Sequence, residues 1–375
     1  MDASVNRIRS SQDERTLLIS LKLKEQKFYE IKYSLEELKL LAQTAGAIVI
    51  DSKIINREKI NAAYIVGRGY LSILKEYLEE EKIKLIIFDL NNIRPAQIRN
   101  LEDFLKCRVL GRTEIILDIF AKRARSAEAK VQIELAQLKY ILPRLKGLGG
   151  VLSRLGGGIG TRGPGEKMIE TDRRHITKRI GVLQKKLSKF EAHRLRTRSQ
   201  RSKEFWGSVV GYTNAGKSTL INVLAKDDLF VENRLFATLD SYTRIVYLAP
   251  KCQVLLTDTV GFIRNLPANL IESFKSTLED IKNSDFIIHV IDINSFDLVS
   301  NIETVEEELK NLEGSHKSQI IFFNKVDLLK DRQKQNFLEE NFPQAIIGSM
   351  KNQDGLEKLK ASILNIYQNH NKKFS

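Results

Sequence analysis

One glycine loop in this chain has the residue types and spacing to hold phosphate. Gly211-Tyr212-Thr213-Asn214-Ala215-Gly216-Lys217-Ser218 follows the pattern G-x-x-x-x-G-K-S. The apolar run 208–210 precedes it, and a helical pattern over 219–224 follows. Strand, glycine loop and helix in that order form an anion cradle. The glycines let backbone N–H groups close on a β-phosphate, the helix N-terminus adds partial positive charge, and Lys217 reaches the β and γ oxygens. Ser218 then offers its hydroxyl to Mg2+. Glycine turns also precede helices for packing alone, so the surroundings decide.

Three further pieces follow in order. Asp258-Thr259-Val260-Gly261 ends the apolar run 254–256. An Asp there holds Mg2+ through water, and the glycine N–H is free to meet a γ-phosphate. Asn324-Lys325-Val326-Asp327 follows the apolar run 320–323. Its Asp carboxylate accepts two hydrogen bonds from guanine N1–H and the exocyclic amine. Adenine presents the opposite pattern and leaves that carboxylate poorly paired. Ser349, Met350 and Lys351 follow 345–347, where a backbone N–H can reach guanine O6. Each tetrapeptide alone occurs by chance, and an Asp after a strand is often only a helix cap. All four in order, each at a strand's carboxyl end, match where ligands sit in doubly wound sheets. They predict a site for GTP or GDP with Mg2+.

The elements that must hold this site span 205–368. Strands are expected at 206–210, 244–249, 253–258, 286–292, 319–324 and 345–349, with helices between them, in a mostly parallel, doubly wound P-loop GTPase sheet. Residues 369–375 look like a polar tail. His289 lies inside an apolar run and is expected to be a core residue. Phe262 follows Gly261 where a Ras-like site carries a water-positioning Gln. The catalytic side chain is therefore unassigned, and slow hydrolysis is expected until a partner orders the site. Arg264 is a candidate near the phosphates with no geometry to support it.

Upstream, residues 1–14 are polar, and 15–121 alternate strand-like and helical runs, a smaller α/β domain. Strands are expected at 17–21, 47–50, 63–66, 85–88 and 108–110, and helices at 34–45, 70–80 and 95–106. Gly67-Arg68-Gly69 is either a plain strand-to-helix turn or a weak phosphate contact. Residues 122–204 predict an antiparallel helical hairpin, with apolar stripes over 122–146 and 169–203. Its tip, 147–166, is glycine-rich: nine of the 21 glycines fall in 147–165. The tip also carries Leu, Ile and Arg, unlike a simple linker.

Charge is uneven. The net charge is +14, and 173–203 contain twelve Lys or Arg against the single acid Glu191. Such a ridge lacks i,i+4 acids and repels itself unless a polyanion neutralises it. A solvated helix face is the plain alternative. With Phe190 its only aromatic, phosphate and shape contact to structured RNA fits better than base stacking. No apolar stretch approaches the roughly 20 residues of a membrane helix. The N-terminus lacks a signal-peptide pattern. Cys107 and Cys252, far apart, predict neither disulfide nor zinc site, consistent with a cytoplasmic protein.

Several stretches make the chain resemble the HflX family of translational GTPases. They are 155–166 with Glu170-Thr-Asp-Arg-Arg174, Phe236-Ala237-Thr238-Leu239-Asp240, the run 258–267, 117–125 with 134–138, and 64–69. The resemblance covers about 16–367. It implies an N-terminal α/β domain, a helical hairpin and a G domain. It further implies a cytoplasmic protein on the large (50S) ribosomal subunit, facing ribosomal RNA and splitting or rescuing stalled ribosomes under stress. A monomer is expected. Phe236–Asp240 corresponds to switch I, so Ser218 and Thr238 would ligate Mg2+, with Thr243 the rival to Thr238. Residues 258–261 correspond to switch II. Ser241-Tyr242, Met350 and Lys167-Met168 depart from the family pattern. Action on other RNA, for example in subunit assembly, and regulation of a protein partner remain open, as does ATP use by the N-terminal region.

Overall fold

The structure is a computed structural model that describes residues 14–145, 164–200, 204–226, 235–236, 242–250, 252–264 and 280–372. The chain divides into two compact units, the first chiefly 1–122 with 130–189 and the second chiefly 190–266 with 274–375.

The first unit holds a four-stranded parallel sheet. Its elements run β1 (Arg15–Lys22), α1 (Phe28–Ala45), β2 (Ile48–Asn56), α2 (Arg68–Glu80), β3 (Leu85–Phe88), α3 (Pro95–Leu105), β4 (Arg108–Gly111) and α4 (Arg112–Arg123). The strand order is β2-β1-β3-β4. Strand β3 is buried along its whole length, as a strand covered on both faces must be. Leu17, Ile19, Ile86, Phe88 and Val109 join Leu71, Leu74, Leu78 and Leu101 in one core.

The expected strand at 63–66 is absent. Asn61 Oδ1 accepts the Ala63 and Tyr64 N–H groups, both at 2.9 Å. Ile65 has φ 66°. The side chains of Ile65 and Val66 plug the core from this turn, where Ile65 bridges only to Asn61, so their apolarity marks burial and not a strand of the sheet. Gly67 then caps α2 with φ −69°. A side chain there or at Gly69 would meet open space, so neither glycine is needed for a close approach.

The helical stripe expected over 122–146 is divided. Helix α4 ends at Arg123, and α5 (Ala127–Leu145) starts anew, with Ser126 Oγ accepting the Ala129 N–H at 3.0 Å. Helix α6 (Pro164–Gln200) begins five residues before its expected start, with proline in the first turn. A bidentate pair links the two helices: Arg179 Nε and Nη2 donate to Glu134 at 2.6 and 2.9 Å. The glycine-rich tip falls largely outside the described residues.

The second unit continues with β5 (Trp206–Val210), α7 (Lys217–Ala225), β6 (Thr243–Ala249), β7 (Cys252–Asp258), β8 (Phe286–Asp292), α8 (Leu298–Asn311), β9 (Ser318–Asn324), α9 (Arg332–Asn341), β10 (Ile346–Ile347) and α10 (Leu356–Lys372). The sheet order is β10-β9-β8-β5-β7-β6, parallel except for the antiparallel edge β6. Residues 369–372, expected as tail, are helical. His370 packs its ring 4.9 Å from that of Phe205, which stacks on Phe286 at 5.1 Å. No helix among the described residues is long and apolar enough to cross a membrane.

A buried ion cluster closes the carboxyl end of the first sheet. Arg112, 1% exposed, pairs with Glu37 and, at 3.1 Å, with Asp89, whose second oxygen accepts from Ser20 at 3.1 Å. Removing the cation leaves two buried carboxylates unneutralised, a loss of about 3–5 kcal/mol. Arg112→Leu should therefore lower the urea midpoint of the first unit; an unchanged midpoint by circular dichroism would refute this.

Candidate functional site

The four sequence pieces converge at the carboxyl ends of β5, β7, β9 and β10. Gly211 leaves β5 at φ 149° with its Cα against Val290; a side chain there would lie 2.1 Å from the Val290 carbonyl oxygen. Asn214 and Gly216 adopt φ 63° and 97°, which turns the loop into the N-terminus of α7. The loop is stitched to the segment expected as switch II. The Thr213 N–H donates to the Phe262 carbonyl at 2.8 Å, and the Phe262 N–H donates to that of Gly211 at 3.1 Å. Gly261 is forced by this approach: a side chain would lie 2.8 Å from Lys217 Nζ and 2.8 Å from Thr213 Cα.

Lys217 is buried and donates to the Gly211 and Tyr212 carbonyls at 3.1 and 2.9 Å. Burial pushes its ammonium down to about 8, with Asp258 opposing that shift. Ser218 Oγ donates to Asp258 Oδ2 at 2.6 Å, so a hard oxygen from the first turn of α7 meets one from the end of β7. Thr259 Oγ1 donates to the Val209 carbonyl at 2.8 Å. Thr243 is held in the sheet, its hydroxyl 2.8 Å from that of Thr257. Phe236 is buried, whereas Ala237, Thr238, Leu239 and Asp240 lie outside the described residues. His289 is a core residue, held neutral down to about 3 by burial and then by the nearby Lys217 charge.

The segments expected to read the base brace the same loop. Asn324 Nδ2 donates to the Ala215 carbonyl at 2.9 Å, while its Oδ1 accepts the Met350 N–H at 3.0 Å. Lys325 Nζ donates to the Asn214 carbonyl at 2.7 Å and pairs with Asp292 at 2.8 Å. Val326 and Asp327 lie in a single 3₁₀ turn. Ser349 Oγ donates to Asp327 Oδ1 at 2.6 Å and orients that carboxylate. The Ser349 N–H donates to the Asp354 carbonyl at 3.1 Å, and Lys351 follows in an exposed turn.

Arg264 does not gather with the phosphate-facing groups. Its guanidinium pairs with Asp297 at 2.7 Å, and its N–H donates to the Tyr212 hydroxyl at 2.8 Å. Sequence reasoning missed Asp292 and Asp297. Asp292 had a signal, since it ends the apolar run 286–291 as Asp258 ends its own. Asp297 caps α8, accepting the Ser300 N–H, and nothing local told of its second partner.

Three family models match in succession: GTP-binding GTPase N-terminal over 32–121, GTP-binding GTPase Middle Region over 123–201, and 50S ribosome-binding GTPase over 207–325. The protein is 48% identical over 336 residues to GTPase HflX of Caldanaerobacter subterraneus subsp. tengcongensis, a match spanning 89% of this chain and 77% of that one. The chain belongs to the HflX family of GTPases. GTPase HflX of Escherichia coli K12 is 37% identical over 349 residues, covering 92% and 81% of the two chains. The SsGBP–GDP complex superposes with a TM-score of 0.53 at 26% identity, over 94% and 98% of the chains. A GTP-binding protein from Sulfolobus solfataricus, solved with GDP, shares the fold at a TM-score of 0.50 and 24% identity, over 95% and 99%. This HflX-family chain therefore binds GTP and GDP and hydrolyses GTP.

Asn324 makes a direct test of the bracing. Asn324→Ala orphans a buried carbonyl and a buried N–H, each worth about 1–3 kcal/mol. GDP affinity by calorimetry should fall about 10- to 100-fold; wild-type affinity would show the P-loop stands without it.

Proposed function

We propose that this HflX-family GTPase binds the large ribosomal subunit and ribosomal RNA, and couples GTP hydrolysis to splitting or rescue of stalled ribosomes under stress. The observation that carries this is the ridge on α6. Arg173, Arg174, Lys178, Lys185, Lys186 and Lys189 are all exposed, and among the described residues none has an ion-pair partner. A row of unpaired cations on a GTPase with a domain of the 50S ribosome-binding class fits an RNA phosphate backbone. In this reading the protein works as a monomer in the cytoplasm.

The nucleotide site is assigned accordingly. Residues 211–218 cradle the phosphates, Lys217 meets the β and γ oxygens, Gly261 offers its N–H to the γ-phosphate, and Asn324 with Asp327 selects guanine. The oxygens of Ser218 and Asp258, already 2.6 Å apart, suit Mg2+ as a direct and a water-bridged ligand, with Thr238 completing the set from switch I. Bound there, Mg2+ would neutralise charge on the β- and γ-phosphates. Lys217 and the Gly261 N–H hold the terminal phosphate, so its loss frees switch II. Phe262 is buried against the P-loop and cannot position water, so hydrolysis is slow until the ribosome orders the switches.

The base assignment predicts that Asp327→Asn moves preference from GTP toward xanthosine triphosphate by about 100-fold or more, measured as the ratio of Kd values. Retained guanine selectivity would sink it. Large subunits should raise the GTPase rate and co-sediment with the protein in the presence of a non-hydrolysable analogue, less so with GDP, and binding should weaken steeply with salt. Equal pelleting with free RNA would favour an RNA target other than the subunit, and binding indifferent to neutralising the α6 ridge would favour a protein partner.

A further inference from the structure

Phe262 leaves the hydrolytic position of switch II without a polar group, yet water must still be aligned with the γ-phosphorus. The hydroxyls around the loop are mostly committed. Ser218 donates to Asp258, Thr259 donates to the Val209 carbonyl, and the Tyr212 hydroxyl accepts the Arg264 N–H. Thr213 differs. It is only 7% exposed, and among the described residues its Oγ1 is buried with no hydrogen-bond partner. Valine has the same shape and would bury here without that desolvation cost. A buried, unpartnered hydroxyl in a phosphate loop calls for a partner that arrives with the ligand.

Its position fits. The N–H of Thr213 is pinned to the Phe262 carbonyl at 2.8 Å. A carbon placed on Gly261 would lie 2.9 Å from Thr213 Cγ2 and 2.8 Å from Lys217 Nζ. The Thr213 methyl, the Lys217 ammonium and Gly261 thus meet at one point beside the assigned terminal phosphate, and Oγ1 branches from the same Cβ as that methyl. Lys217 and Arg264 carry donors only and cannot accept a proton from water. A hydroxyl both donates and accepts.

We propose that Thr213 is a catalytic residue that orients the attacking water, in the role Phe262 cannot fill. Its Oγ1 accepts a hydrogen bond from the water and donates its own to a γ-phosphate oxygen. The water oxygen bonds to the γ-phosphorus. The bond from that phosphorus to the β–γ bridging oxygen breaks, leaving its electron pair on GDP. The water proton ends on the released phosphate. Thr213 aligns the nucleophile and exchanges no proton. This rests on the GTP-site reading above.

Thr213→Val and Thr213→Ser test it in the full-length chain. Single-turnover GTP hydrolysis and the Kd values for GDP and a non-hydrolysable GTP analogue are measured for each. Thr213→Val should slow hydrolysis about 10- to 100-fold while the GDP Kd stays within about threefold and the analogue Kd rises far less than the rate falls, and Thr213→Ser should recover most of the rate. A wild-type rate in Thr213→Val overturns the proposal. So does a loss of affinity for both nucleotides as large as the loss of rate, because the hydroxyl would then hold the loop and not the water. Absence of nucleotide binding in the unaltered protein would instead strike the underlying site assignment and take this proposal with it.

Discussion

The nucleotide site depends on a glycine loop that cannot hold itself. Residues 211–216 form neither helix nor strand, so their backbone must be fixed from outside. Among the described residues, four long-range contacts to the loop backbone do this: the Thr213 N–H on the Phe262 carbonyl, the Phe262 N–H on the Gly211 carbonyl, Asn324 Nδ2 on the Ala215 carbonyl, and Lys325 Nζ on the Asn214 carbonyl. They come from the segment that follows β7 and from the end of β9 with the residue after it. Ordering a flexible loop costs roughly 1–2 kcal/mol per residue, and these contacts let folding meet that cost before any ligand arrives. The cradle is preorganised because the parallel sheet delivers every partner to one edge.

The same bracing couples the parts of the site. Asn324 touches both the P-loop and the loop at Met350. Phe262 ties switch II to the cradle through its backbone while its ring is buried. Arg264 then carries the connection to the cap of α8 through Asp297. The glycine loop is thus linked through Phe262 and Arg264 to the cap of a second helix.

The strands of the G domain were legible because buried parallel strands are continuous apolar runs, and their ends carry Gly, Asp and Asn that no core explains. The run 63–66 misled for the same reason in reverse. Its apolar residues are buried from a turn built on Asn61, and burial without pairing looks like a strand in one dimension. Helix α4 was not expected because its core run 115–120 is nearly continuous and apolar, without the polar face that marks an amphipathic helix. The role expected of Arg264 failed because its partner, Asp297, lies 33 residues away.

By itself, the sequence determined the expected chemistry: which atoms would cradle phosphate, which carboxylate would suit guanine, and where positive charge accumulates. These follow from side-chain type and local spacing, which folding does not alter. Only the tertiary structure decided which groups are already engaged. It took Arg264 into an ion pair, placed Thr243 in a strand, oriented Asp327 through Ser349 and left the Thr213 hydroxyl buried. Partnership at those positions depends on distances between strand ends, and a linear chain carries no record of them until the sheet closes.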